Sequence, residues 1–430
     1  METRYIKGLR WWIIGLVMIG VALNYLSRSS LSVAVPTLSK ELGISTQQYS
    51  YVVAAFQAAY TAMQPVAGYF LDLLGTKIGF AIFALGWALS NALHGFASGW
   101  QSLAFFRGLL GMTEAAIIPA GLKVASEWFP DKERSVATGW FNAGTALGAM
   151  FAPPLVVWCI LHYNWQSAFV VTGGLSLIWV VIWLVTYRQP RQHPRLSPAE
   201  KEYILGGQSP AGHGKPSLKR ILGQKRFWGI AIPRFLADPA WATFNFWIPL
   251  YLTSVRHMSL QEIAMFAWLP FLAADLGSIV GGYLSPFFMR TFKVSVITSR
   301  KLVVTTGALL MTGPACIGLA TDAYWAIALF CIGGFAHQAL SGALITLASD
   351  VFGKHEVATA TGLTGTAAWL GSIGFSLIIG ALATTIGYNP LFVCLALFDV
   401  IGALVVWSMI SPGSGGAQAG PAPAAAEQPS

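Results

Sequence analysis

Glu127-Trp-Phe-Pro-Asp-Lys-Glu133 and Asp350-Val-Phe-Gly-Lys-His-Glu356 stand 223 residues apart and carry one pattern. The register continues without a gap, setting Ala137-Thr-Gly139 against Ala360-Thr-Gly362 and Leu147-Gly148 against Leu370-Gly371. A second echo closes two apolar runs further out: Val66-Ala-Gly-Tyr-Phe-Leu-Asp72 and Val280-Gly-Gly-Tyr-Leu-Ser-Pro286. Ungapped self-similarity of this kind reads as a duplicated chain whose halves fold alike. In a membrane, parallel repeats of this kind face each other across a central cavity and rock to give alternating access.

The membrane follows from composition. Of 430 residues, 55% are hydrophobic and 10% charged, against about 25% charged in a soluble domain. That balance leaves too little charge to cover a water-exposed surface and excludes a soluble enzyme. A crossing takes about 20 apolar residues. Twelve such runs are predicted, at 12–36, 48–72, 78–98, 101–126, 136–160 and 166–187, then 227–252, 263–289, 298–320, 324–349, 357–384 and 390–411. The expected fold is an all-α membrane protein of twelve transmembrane helices in two pseudo-symmetric six-helix bundles. The N-terminal bundle is placed at 1–187, a cytoplasmic linker loop at 188–226, the C-terminal bundle at 227–411, and a disordered Gly/Ala/Pro-rich cytoplasmic tail at 412–430. With 45 glycines, the spans suit close helix packing in lipid.

Orientation comes from Lys and Arg. With the N-terminus in the cytoplasm, 20 of the 26 fall on that side, only Lys40 and Arg256 fall outside, and Arg28, Arg107, Lys123 and Arg234 fall within spans. Both termini are therefore expected in the cytoplasm, with the chain multi-pass in a bacterial inner membrane. The net charge of +9 follows this membrane bias and forms no aromatic-laced stripe for nucleic acid. Met1 to Arg10 is short and basic ahead of a full-length span, so no cleavable signal is expected. Cys159, Cys316, Cys331 and Cys394 lie in apolar stretches without CxxC spacing and are expected as buried small hydrophobes, not as metal or disulfide partners. HExxH, GxSxG and GxxxxGK[ST] are absent, which argues against an enzyme, and no cofactor or metal is implied. The 39-residue linker is too small for the output domain of a sensor.

Charges inside spans cost at least about 2.5–3.5 kcal/mol each and normally pair or line a wet cavity. Arg28, in Tyr25-Leu-Ser-Arg28, stands eight residues before Pro36, about 12 Å inside the outer end of its span. It is expected to clamp a substrate carboxylate. Arg107 and Glu114 are seven residues apart on one helix face. Glu114 can carry a proton, while Arg107 holds its ionised form or takes turns with substrate. Adding the repeat offset to 114 reaches His337, so a Glu and a His are expected at one depth of a polar cavity. Arg234 and Asp238 form an i,i+4 pair between Pro233 and Pro239, either self-neutralising or coupled to protons. Asp275 is a second titrating group or a partner for Arg234, and Asp399 is structural. Lys123, with Asp131, Glu133 and Arg134, reads as gating-loop charge. Tyr25, Tyr60, Asn142, Asn245, His337 and Gln338 can hydrogen-bond sugar hydroxyls, and Trp241 and Trp369 can pack on an apolar ring face.

Gly68-Tyr-Phe-Leu-Asp72-Leu-Leu-Gly75-Thr-Lys77 resembles the loop motif of the major facilitator superfamily, with Gly68, Asp72, Gly75 and Lys77 as its gating residues. Leu73 and Thr76 depart from the basic residues usual there, which weakens the motif's charge latch. Arg107-Gly-Leu-Leu-Gly111 resembles that superfamily's fourth-span motif, and the resemblance assigns proton coupling to Arg107 and Glu114. Lys7-Gly-Leu-Arg-Trp11, Ile44-Ser-Thr-Gln-Gln-Tyr-Ser-Tyr51, Pro233-Arg-Phe-Leu-Ala-Asp-Pro-Ala-Trp241 and Gly333-Gly-Phe-Ala-His-Gln-Ala-Leu-Ser-Gly342 are similar to the anion:cation symporter branch, and within it to bacterial hexuronate transporters. Ser27 stands where related symporters often carry an acid. The resemblance implies a proton-coupled symporter importing glucuronate and galacturonate, or else an aldonate or another organic anion, and the chain is expected to work as a monomer. A monoanion entering a negative-inside cell is opposed by about 2.3 kcal/mol per 100 mV, and one co-transported proton cancels that charge.

Overall fold

The computed structural model describes residues 5–130, 133–206, 218–352 and 357–411. Every regular element among them is a helix. The first span is Leu9–Glu41. The second and third run as one helix, Thr46–Leu93, bent at Gly75, whose φ of 76° and ψ of 157° suit a residue without Cβ. Trp100–Trp128, Val136–His162 and Trp165–Thr186 complete the first half. The second half holds Lys225–Ser254, Leu260–Phe292, Val296–Leu319, Ala323–Val351, Val357–Ile386 and Asn389–Met409. The predicted twelve-helix membrane fold is the observed one.

Ten helices qualify as crossings by length and apolar composition. The other two predicted spans, 48–72 and 227–252, are diluted by Gln48 and Gln57 and by Arg234 and Asp238. Both lie where the halves meet, with Gln57 buried and Arg234 and Asp238 half-buried. Other spans expose large apolar side chains, as at Val185, Phe151 and Leu404, which lipid tails cover without cost.

Helix starts are set by caps. Ser45 and Gln48 form a capping box at the second span, Ser259 and Glu262 another at the eighth, and Asn164 and Asp322 cap the sixth and tenth. The linker helix Pro198–Gly206 caps the first span from outside it: Glu200 accepts from the Leu9 and Arg10 N–H groups at 3.3 Å and pairs with the Arg10 guanidinium at 2.9 Å. A carboxylate is favoured at that positive helix end.

Two glycines position the centre. A Cβ on Gly111 would overlap the Phe56 backbone, so its absence lets the fourth span press Arg107 and Glu114 against the second. A Cβ on Gly371 would overlap the Phe235 carbonyl, which Pro239 has deprived of its helical N–H partner. Gly371→Ala is expected to force the seventh and eleventh spans apart and destabilise by about 1–3 kcal/mol. Thermal unfolding in detergent checks this; an unchanged melting temperature would refute the contact.

Cysteine placement corrects one expectation. Cys159 is buried and Cys331 and Cys394 are half-buried, but Cys316 is exposed, because it opens the short 3-10 turn Cys316–Leu319 that ends the ninth span. All four are free thiols. The proposed tail, 412–430, lies outside the described residues.

Candidate functional site

The centre of the first half is built on Arg28, which is 4% exposed. Its Nε donates to Glu114 Oε2 at 2.9 Å, and its guanidinium lies 4.4, 4.9 and 5.2 Å from the ring centroids of Tyr25, Tyr60 and Phe56. Desolvated cation–ring contacts contribute up to about 2 kcal/mol each and hold the side chain within the protein. Arg28 therefore does not snorkel to an interface.

Arg107 corrects the expected pairing. It does not hold Glu114; its Nη2 donates to the Arg28 carbonyl at 2.6 Å, and its guanidinium packs over Phe56 at 4.7 Å and Phe246 at 5.8 Å. Seven helical residues separate Arg107 and Glu114 by about 10 Å along the axis, while the first span brings Arg28 to the level of Glu114 itself. The Nε and Nη1 of Arg107 and Oε1 of Glu114 have no hydrogen-bond partner among the described residues. The cluster thus holds two guanidinium groups and one carboxyl, a surplus of one positive charge when Glu114 is ionised and of two when it is protonated.

In the second half Arg234 Nη2 and Asp238 Oδ2 meet at 3.5 Å, as their i,i+4 spacing predicts. A cavity of about 30 Å³ joins the two clusters, lined by Arg28 from one side and Asp238, Trp241, Asn245, Trp369 and Ser372 from the other. That is room for about two waters. Asn245 donates to the Trp241 carbonyl at 2.8 Å and keeps its Oδ1 unpartnered toward this region. Trp369 packs on Tyr60 at 4.8 Å. His337 is buried and stacks flat on Trp241, 5.8 Å between centroids. Glu114 and His337, matched by the repeat, each sit one side chain behind the cavity wall, the first behind Arg28 and the second behind Trp241.

Other expected residues lie apart. Asn142 is exposed within the fifth span, and Gln338 and Asp275 are half-buried outside the cavity wall. Asp275 does not pair with Arg234, whose partner is Asp238. Asp399 is 1% exposed, with neither carboxyl oxygen bonded among the described residues. Sequence reasoning missed Phe56, Phe246 and Ser372, since a phenylalanine or serine within an apolar helix carries no signal of its own.

Contacts between the halves run from this centre toward the face opposite the termini. Tyr49 OH donates to the Phe246 carbonyl at 2.6 Å, Tyr49 meets Trp247 edge-on at 5.1 Å, and Gly380 lies against Ser50. Only about 10 Å³ remains between Ser29, Ser32, Phe244, Ile248 and Pro249. That face is sealed. Tyr49→Phe removes a net contribution of about 1 kcal/mol, and labelling of Ser32→Cys from that face should rise about fivefold. Unchanged labelling would mean the bond does not hold the seal.

Around the loop motif the described side chains bond to hydroxyls and backbone carbonyls. Thr76 Oγ1 donates to Glu127 Oε1 at 2.6 Å and Tyr187 OH to Glu127 Oε2 at 2.5 Å. The Lys77 carbonyl accepts from Trp183 Nε1 at 2.9 Å, and Lys123 Nζ reaches the Leu71 carbonyl at 2.9 Å. A hydroxyl therefore binds Glu127 from position 76, where the resembled motif usually carries a basic residue. The repeat partner of Glu127, Asp350, pairs with Arg300 at 3.2 Å, so each half ties the end of one span to the start of another with an acid. Glu133 binds Arg10 at 3.2 Å and Tyr203 at 2.7 Å. Gly68 is within the second span; the side chains of Asp72 and Arg134, and all of Asp131, lie outside the described residues.

Two like helical halves, sealed on one side and holding paired charges at their seam, define a membrane transporter. A profile of the Major Facilitator Superfamily matches residues 17–299, and the chain belongs to that family. It is 59% identical over 412 residues to the hexuronate transporter of Escherichia coli (strain K12), covering 95% of both chains. It is 58% identical over 328 residues to the galacturonate transporter of Dickeya chrysanthemi, covering 75% of this chain and 95% of that one. Among solved structures, a bacterial homolog of the human lysosomal transporter Spinster, inward-facing and occupied, superposes with a TM-score of 0.74 at 16% identity, over 94% of this chain and 97% of that one. Such relatives are transporters, not enzymes.

Proposed function

We propose that this protein imports glucuronate and galacturonate together with protons, as a monomer, by alternating access across a bacterial inner membrane with both termini in the cytoplasm. The observation that carries the reading is the surplus guanidinium charge at a buried seam, where a carboxylate is the natural counter-ion. The names and high identity of the two bacterial relatives support the choice of sugar acid.

In this reading Glu114 and substrate compete for Arg28. Protonation of Glu114 releases the guanidinium, the uronate carboxylate takes its place, and the sugar ring lies between Trp241 and Trp369 with its hydroxyls on Asn245, Tyr25 and Ser372. A hexuronate is larger than the present cavity, so the halves must part to admit it. Proton loss from Glu114 to an alkaline cytosol then restores the Arg28 pair and expels the anion. Asp238 stands in the same relation to Arg234 across the cavity.

Uptake of labelled glucuronate and galacturonate into proteoliposomes tests this. An inside-alkaline gradient should drive accumulation, each uronate should compete with the other, and neutral glucose should not compete. Uptake indifferent to the gradient would remove the proton, and stronger competition by gluconate would move the substrate to aldonates.

A further inference from the structure

Where the first and sixth spans reach the face that bears the termini, a groove of about 700 Å³ opens between them. Ile13 and Leu16 form one wall, Ile182 and Val185 the other, and Arg188, His193 and Arg195 stand at its mouth. The mouth is held in place by backbone bonds: the Ile6 N–H donates to the Arg195 carbonyl at 3.0 Å, and the Arg195 N–H to His193 Nδ1 at 3.2 Å. Both guanidinium groups are exposed and neither makes an ion pair or side-chain hydrogen bond among the described residues. Burial first, and then the fields of Arg188 and Arg195, hold the His193 imidazole below its usual value, which marks the mouth as a concentration of positive charge. Trp12, 71% exposed and near the start of the first span, also lines the groove, and tryptophan is the residue favoured beside lipid headgroups.

We propose that this groove binds one anionic phospholipid, with an acyl chain against the Ile13, Leu16, Ile182 and Val185 walls and the phosphate between Arg188 and Arg195. The pairing of an apolar trough with an uncompensated basic mouth selects this occupant. Inorganic phosphate would leave the trough unused. A zwitterionic lipid would bring a cation to two arginines. Basic recesses at the end of transmembrane helices are suited to acidic headgroups, and two arginines together favour them by about 30-fold.

Native mass spectrometry of the purified full chain, titrated with phosphatidylglycerol or phosphatidylcholine of the same acyl chains, tests the site. Phosphatidylglycerol should be retained about 30-fold better, and Arg188→Gln with Arg195→Gln should bring it to the phosphatidylcholine level. Arg191→Gln, the loss of one charge on the same loop outside the groove, should change nothing. Val185→Trp should expel the lipid with both arginines present, and it decides the matter if the double variant does not fold. Equal retention of the two lipids, equal retention by the double variant or by Val185→Trp, loss through Arg191→Gln, or displacement by millimolar inorganic phosphate alone would each overturn the proposal.

Discussion

Glu114→Gln is expected to reduce gradient-driven accumulation of glucuronate to simple equilibration while counterflow exchange continues. With one proton per uronate, a pH difference of one unit drives about tenfold accumulation; without a titrating group at position 114 the ratio falls to about one. The side chain is fully buried and contacts Arg28 at 2.9 Å, and a glutamine oxygen can still accept that bond, so the geometry of the centre survives. What is lost is the charge that alternates. The substituted protein keeps a neutral partner beside Arg28, the condition in which the guanidinium is free for substrate, and exchange of labelled for unlabelled uronate should persist within a fewfold of the native rate. Loss of exchange together with accumulation would give Glu114 a packing role instead. Unaltered accumulation would move coupling to Asp238, the half-buried carboxyl that lines the cavity.

The difference between Asp238 and Glu114 also shows where sequence is readable. Arg234 and Asp238 are four residues apart on one helix, a spacing that translates directly into contact. Arg107 and Glu114 share a face as predicted, yet Glu114 pairs with a residue 86 positions away in the chain. That contact depends on how two helices are rotated and how closely they approach, which hydrophobic periodicity leaves open in a chain apolar on nearly every face. The spans themselves were legible because lipid demands long apolar runs. The duplication was legible because Glu127 and Asp350 keep their register, and the structure gives both the same task, through Thr76 in one half and Arg300 in the other. Phe56 remained invisible although it lies under both Arg28 and Arg107, since only the close approach at Gly111 puts it there.

Arg28→Ala should have the largest effect on binding, and its interpretation needs a companion. Truncating one member of a buried, hydrogen-bonded charge pair costs about 2–5 kcal/mol, about 30- to 3,000-fold in affinity. Here the same substitution also leaves Glu114 at 0% exposure without its cation, which by itself destabilises a fold by about 3–5 kcal/mol. The double variant Arg28→Ala with Glu114→Gln separates the two. Removing both charges should restore most of the thermal stability, because the orphaned carboxylate is gone, yet it should not restore uronate binding, because no guanidinium remains at the cavity wall. Arg107 cannot substitute: its Nη2 is committed to the Arg28 carbonyl and its plane to Phe56. Isothermal titration of glucuronate into the double variant therefore gives the decisive reading. Binding within tenfold of the native protein would remove Arg28 from the substrate site and leave its pair with Glu114 as architecture; weak binding in a stable double variant would assign the carboxylate contact to Arg28 and confine the contribution of Glu114 to controlling when that contact is available.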